Sequence, residues 1–192
     1  MIPSDKSRVV ERAAFALEAG DRDSAIHIAK SDYPWESAEV PKRKMTQRRS
    51  LQIFVRDGFI DRYSGSQLIF PGALLLLSRE LPEAFPAHET WRSAQTHDAY
   101  FELWPVVDHV EPLSRGGADD ESNFATTSNL LNEAKSNWSL EQLGWKLLPP
   151  GDISKWDGLL GWFARYVTKY PEVLEHKTIN SWFRSAVAVN AV

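Results

Sequence analysis

The sequence predicts an α+β fold, and three observations carry that reading. Residues 104–110 (WPVVDHV) are β-branched and aromatic, the composition of a short strand. A second such run, Phe124 to Thr127, follows a loop rich in Gly, Pro, Asp and Ser, so the two strands can pair back on each other. On either side, residues 4–20 and 152–170 carry apolar residues at helical spacing. The chain reads as a small strand–loop–strand–helix centre between helical flanks.

Taken in order, residues 4–20 form a helix capped by Ser4 or Asp5 and ended by Gly20, with Val9, Val10, Ala13, Ala14 and Leu17 on one face. Residues 21–30 form a second, short helix whose apolar side carries His27 as a packed residue. Pro34 and Pro41 mark a connector, and a third helix spans about Pro41 to Asp57. Residues 58–70 read as a hairpin around Ser64-Gly65-Ser66. Residues 71–103 hold a helix opened by Pro71 and running to Glu80, then a second one from about His88 to Leu103; His88 and His97 read as packing or surface residues.

After the second strand, Ser128 is a helix N-cap, and the helix runs to about Asn137. A turn and short helix stop at Pro149-Pro150. Residues 152–170 form an amphipathic helix with Trp156, Leu159, Leu160, Phe163 and Val167 on one stripe, and a last helix covers 172–188. Five of the eight Trp lie from position 138 onward; at helical spacing beside Leu and Val they read as core rather than as base-stacking platforms. The organisation is a helical region 1–50, a centre 51–138 and a helical region 139–192.

The chemistry-bearing residues gather in the centre. Asp108-His109 ends the first strand. Asn123 follows His109 by fourteen residues, Asn132 by twenty-three and Lys135 by twenty-six. Asn132 and Lys135 are three apart and share a helix face. A neutral imidazole, with an ordinary pKa of about 6.5, can take a proton from water near neutral pH. A carboxylate and an amide oxygen suit a hard cation such as Mg²⁺. A cation beside them can face a phosphate. Those parts are what cutting a phosphodiester requires.

The pattern D-H, G-G-x-D-D, N-F and N-x-x-K resembles the HNH, or ββα-metal, nuclease motif. The resemblance implies a ββα-metal core and roles residue by residue. His109 would be the general base, and Asn123 would hold its ring through a hydrogen bond. Asp108 and Asn132 would bind one Mg²⁺ or Mn²⁺ ion. Lys135 would sit near the phosphate. The activity implied is endonucleolytic cleavage of DNA, of restriction or phage-defence type. The alternative is a catalytically inactive HNH fold that binds nucleic acid or a protein.

Two departures from that pattern stand out. Many HNH proteins hold a structural zinc with four cysteines; here Arg56-Asp57-Gly58-Phe59 opens the matching knuckle, and Asp61, Ser64, Ser128 and Leu131 stand at the cysteine positions. The chain has no Cys, so a thiolate site is impossible and no structural zinc is expected. Residues 71–103 are a helical insertion, longer than the usual link between knuckle and D-H strand.

A formal net charge of −4 is awkward for a DNA-binding chain, because non-specific affinity comes from cations on phosphates. Charge placement offsets it. Residues 42–49 (KRKMTQRR) hold five basic residues and no acid, so Lys42, Arg43, Lys44, Arg48 and Arg49 are the candidate DNA-backbone contacts. A single site of this kind cuts one strand at a time, so double-strand cleavage requires a dimer or a second event; DNA, and a homodimer or a partner protein, are the expected partners. The longest apolar patch, 72–77, is far too short to span a membrane, and the N-terminus lacks a signal pattern, so a cytoplasmic location is the expectation.

Overall fold

The computed structural model describes residues 5–35 and 45–192, and the chain divides into two units, Met1–Glu39 and Val40–Val192. The first unit is a helical hairpin of α1 (Lys6–Glu18) and α2 (Arg22–Asp32). Gly20 supplies the left-handed turn, and Asp21 caps α2 by accepting from Ser24 N–H at 3.0 Å. Val9 and Ala25 are buried. His27 is exposed rather than packed, a correction to the sequence expectation.

The second unit opens with α3 (Gln47–Arg56). The sequence predicts its start near Pro41; it begins six residues later because Thr46, extended at ψ 154, caps Arg49 N–H at 3.2 Å. Residues 41–44 of that expected helix lie outside the described residues. The expected hairpin at 58–70 is a tight loop with one bridge, Ile60 to Gln67, closed by Asp61 N–H to Ser66 O at 2.9 Å. The chain then enters α4 (Pro71–Glu80) with Pro71 in its first turn.

The helix expected over 88–103 reduces to a 3₁₀ turn at Ser93–Gln95 and one turn of helix, α5 (Ala99–Glu102). Side chains take the backbone bonds a longer helix needs. Buried Thr96 accepts from His88 N–H at 3.2 Å, and His97 Nδ1 accepts from Ala99 N–H at 3.1 Å.

Strands β1 (Pro105–His109) and β2 (Phe124–Ser128) pair antiparallel, with Pro105 opposite Ser128 and His109 opposite Phe124. Helix α6 (Asn129–Lys135) follows; Ser128 caps it by accepting from Leu131 N–H at 3.2 Å, and Ser136 at φ 49 ends it. Next come α7 (Leu140–Leu143), with a Ser139–Gln142 capping box, α8 (Leu160–Lys169) and α9 (Lys177–Ala188). The predicted start of α8 near 152 fails because Gly158 and Leu159 are left-handed, and Asp157 caps Leu159 and Gly161 N–H groups. A Cβ at Gly158 would stand 2.6 Å from the Phe59 ring, so the close approach requires glycine there.

One core joins the centre to the C-terminal helices. Leu51, Phe54, Phe59, Val107 and Phe124 share it with Phe163, Ile179 and Trp182. Phe70 sits at its middle, with ring centroids 5.1 Å from Phe163 and 5.6 Å from Trp182. The expectation that the tail tryptophans are core holds for Trp182. Trp156 is half-buried and donates to Leu68 O at 2.8 Å, while Trp138 is exposed.

Two buried carboxylates tie the knuckle to β2. Asp57 accepts from Arg56, from Arg62 Nη1 at 2.8 Å and from Thr126 N–H at 2.8 Å. Asp61 takes four donors. Tyr63 and Ser64 N–H groups reach Oδ1, and Thr127 Oγ1 and Ser128 N–H reach Oδ2, at 2.7 to 3.1 Å. It therefore joins the knuckle loop to the start of α6. Replacing it leaves buried donors without an acceptor. Asp61→Ala should lower unfolding free energy by about 3 kcal/mol, read as a drop in the urea midpoint at unchanged m. A midpoint equal to wild type would remove Asp61 as a cross-link.

Candidate functional site

The loop between β1 and β2 is shaped before any chemistry is placed on it. Gly116, at φ 86, makes the left-handed turn after a 3₁₀ turn at Leu113–Arg115. Gly117 lies so close to the first part of the loop that a Cβ would stand 2.0 Å from Glu111 O. Asn123 then closes the loop from inside: its Oδ1 accepts from Glu111 N–H, and its Nδ2 donates to Glu111 O and Ala118 O, each at 2.8 Å. All three bonds go to backbone. The role implied for Asn123, a hydrogen bond to the histidine ring, is corrected: it fixes the loop that carries the ring's actual partner.

That partner is Asp119. His109 is buried, and its Nε2 lies 2.9 Å from Asp119 Oδ1. An ionised carboxylate only accepts, so Nε2 carries the proton and a neutral ring keeps its lone pair on Nδ1. The edge-to-face contact with Phe124, centroids 5.0 Å apart, fixes the ring plane from a second side. Asp119 is 34% exposed, so the pair reaches solvent from a buried base. The next residue, Asp120, caps the 3₁₀ turn Glu121–Asn123; the Ser122 hydroxyl, with its N–H, holds the Asp120 carboxyl below the usual range.

Asp108 and Lys135 form the second half of the site. Lys135 is 0% exposed; its Nζ lies 2.9 Å from Asp108 Oδ2 and donates to His109 O at 2.8 Å. The Tyr63 hydroxyl donates to the same Asp108 oxygen at 2.7 Å. Burial, and then the Asp108 charge, push the Tyr63 phenol well above its ordinary range. The expectation that Lys135 sits at the phosphate is therefore corrected. An ammonium with no access to water stabilises only what surrounds it, and here it binds the two strand-end residues to α6.

Asn132 is half-buried on α6 and lines a groove of about 490 Å³ with Ser50, Trp104 and Val106 among others. The oxygen donors left for a divalent ion are Asp108 Oδ1 and the Asn132 amide. Among the described residues no group of three His, Asp or Glu gathers into a cage. A carboxylate oxygen and an amide oxygen are the hard donors that Mg²⁺ or Mn²⁺ takes, and the groove that Asn132 lines is not lined by Asp108. These two donors do not form a closed structural site.

Of the expected DNA contacts, Lys42, Arg43 and Lys44 lie outside the described residues. Arg48 is exposed. Arg49 is half-buried, its guanidinium 5.0 Å from the centroid of the Phe124 ring that His109 also touches. It makes no close ion pair among the described residues, and the Asp120 carboxylate feels its charge; it is the cation beside the Phe124 ring that His109 also touches. Arg56 and Arg62 are spent internally on Asp57 and on backbone carbonyls. Sequence reading missed Asp119 and Tyr63. The first stood ten residues after His109 in a visible Asp pair, whereas nothing in the sequence marks the second.

No protein-family profile matches this chain, and no curated protein or solved structure matches it either. Among the described residues no helix is long and apolar enough to cross a membrane.

Lys135→Ala should destabilise the fold by about 3 kcal/mol, since it strands a buried carboxylate, whereas a solvent-facing lysine would cost less than about 0.5 kcal/mol. Urea unfolding distinguishes the two. Tyr63 predicts a pH dependence of definite sign. Its folded-state pKa is raised above the unfolded value of about 10, so its contribution is complete below that pH and is lost as the pH rises past it. Stability of Tyr63→Phe should fall less than that of wild type between about pH 9 and 11. Parallel curves would mean that Tyr63 has no part in it.

Proposed function

We propose that this chain is a metal-dependent HNH-type endonuclease that hydrolyses DNA phosphodiester bonds. The observation that supports this reading best is the His109–Asp119 pair at the end of β1, beside Asp108, on a strand–loop–strand–helix unit.

In this mechanism Asp119 holds the proton on Nε2, and His109 Nδ1 takes a proton from a water molecule. The water oxygen bonds to phosphorus, the ester P–O bond opposite breaks, and the departing alkoxide takes a proton from solvent. A Mg²⁺ or Mn²⁺ ion held by Asp108 and Asn132 would stabilise charge on the phosphate and the leaving oxygen. Arg49 takes the phosphate-facing role implied for Lys135. Lys135 keeps Asp108 and the His109 backbone in place.

A second reading, a non-cleaving HNH-type module that binds nucleic acid or a protein, is favoured by one observation: Lys135 and Tyr63 already occupy Asp108 Oδ2. Supercoiled plasmid with Mg²⁺ or Mn²⁺ separates the two. The endonuclease converts plasmid to open circle or linear form, and His109→Ala abolishes conversion while remaining folded, as its far-UV circular dichroism shows. Asp119→Asn should reduce the rate about 10- to 100-fold, as for other carboxylates that orient a histidine. Wild type that never cuts would leave the binding module; full activity in His109→Ala would sink the assigned base.

A further inference from the structure

The insertion builds a cavity that the hydrolytic site does not use. It measures about 1070 Å³, and its aromatic lining comes from Trp91, Tyr100, Trp104 and Trp182. Trp91 and Tyr100 belong to the 71–103 segment. Around these rings lie polar side chains that can address the edge of a flat ligand, among them His88, Gln95, Glu89 and Arg79, the last paired with Glu80.

Trp91 is held in an unusual way. Its φ is 50, a left-handed conformation that bulky residues rarely adopt. His88 imposes the turn: its carbonyl accepts from Trp91 N–H at 2.9 Å, and its Nδ1 accepts from Thr90 N–H at 3.1 Å. The indole then meets Trp104 and Tyr100 edge-on, at 4.8 and 5.7 Å between centroids. Trp91 and Trp104 pack on the buried Tyr100 and remain half-exposed, so they are the rings a ligand reaches, and strain at such a wall is a pointer to function.

Two neighbouring features say what enters. The cavity and the Asn132 groove share Gln47, Trp104 and Trp182, so they adjoin. Ser181 donates to Gln47, and Ser181 also lines a cleft with Arg48, Arg184 and Ser185. Both arginines are exposed, neither has an ion-pair partner among the described residues, and no carboxylate lines that cleft among them. An aromatic cavity adjoining the Asn132 groove and close to a guanidinium pair matches a nucleic-acid strand: phosphates on the cations, a base against the rings.

We infer that this cavity binds an unpaired nucleobase of a DNA strand whose backbone lies on Arg48 and Arg184. The inference rests on the endonuclease reading for the direction of the strand and adds a preference for DNA with unstacked or extruded bases. Extruding a base from a duplex costs stacking and pairing energy, so substrates already unpaired bind better.

The test is binding without cleavage. A fluorescein-labelled oligothymidylate and a blunt duplex of equal length are titrated with the full chain in EDTA, and anisotropy is read. The single strand should bind more tightly. Trp91→Ala should weaken it by roughly five- to a hundred-fold, the range for loss of one base–aromatic stack. Ala87→Glu, at an exposed rim position, should weaken it similarly without touching the core, and it decides the matter alone if Trp91→Ala does not fold. Arg48→Ala with Arg184→Ala should weaken both DNAs and flatten the salt dependence by about 1.4 in log–log slope for the single strand. Equal binding of both DNAs, or Ala87→Glu binding like wild type, overturns the inference. The plasmid assay keeps the two proposals apart. His109-dependent cutting with no effect of the cavity variants leaves the endonuclease and removes the base site. Trp91-dependent single-strand binding without cutting leaves the base site and removes the hydrolase.

Discussion

The candidate site depends on a buried lysine. Lys135 has no exposed surface, yet it carries an ammonium that would be costly to bury alone. It is tolerated because Asp108 supplies the opposite charge and the His109 carbonyl supplies a second acceptor. Those two acceptors are consecutive residues at the end of β1, and the donor comes from the last turn of α6. One side chain thus sets both the spacing of helix and sheet and the orientation of the Asp108-His109 step. The same pairing limits the site. With one Asp108 oxygen committed to Lys135 and Tyr63, only the other is left for a ligand.

Two buried carboxylates cross-link the rest of the centre. Asp57 and Asp61 each accept donors from both sides of the gap between the knuckle and β2. An acceptor-only group with two oxygens and about four lone-pair sites can satisfy several converging N–H and O–H donors at once. Ser64 serves the loop locally through Ser66. Ser128 caps α6 and also donates its backbone N–H to Asp61. The cross-link is a hydrogen-bond network, and burial makes each member costly to remove.

The strands, α4, the Ser128 cap and the aromatic core were legible because each rests on local signals: β-branched runs, Pro at a first turn, a hydroxyl before a helix. The misread boundaries share one cause. At Thr46, at Thr96 and His97, and at Asp157, a side chain takes backbone bonds that apolar periodicity alone would assign to a longer helix. The site was legible in its strand-end residues and misread in its partners. Spacing places Asn123 and Lys135 near His109 but does not say which atoms meet. Asn123 fell to the backbone because Gly117 brings the loop within its reach, and Lys135 fell inward because Asp108 lies where the aliphatic stem can carry the charge.

The aromatic cavity and the insertion have a common origin. Replacing a long helix by two short turns leaves residues 88–98 to run as loop, and that loop places Trp91 against Tyr100 and Trp104. The same segment ends in α5, which packs on α6, the helix that carries Asn132 and Lys135. A ligand pressing on the Trp91–Trp104 wall therefore acts on a structure that borders the groove of Asn132, with Trp104 common to both. Asn129 N–H donates to Trp104 O at 3.0 Å, so the backbone of that wall is bonded to the first residue of α6. A segment that only lengthened the connection would need none of these contacts. Its rings and its strained tryptophan wall the cavity, and Trp104, the residue after it, is bonded to α6.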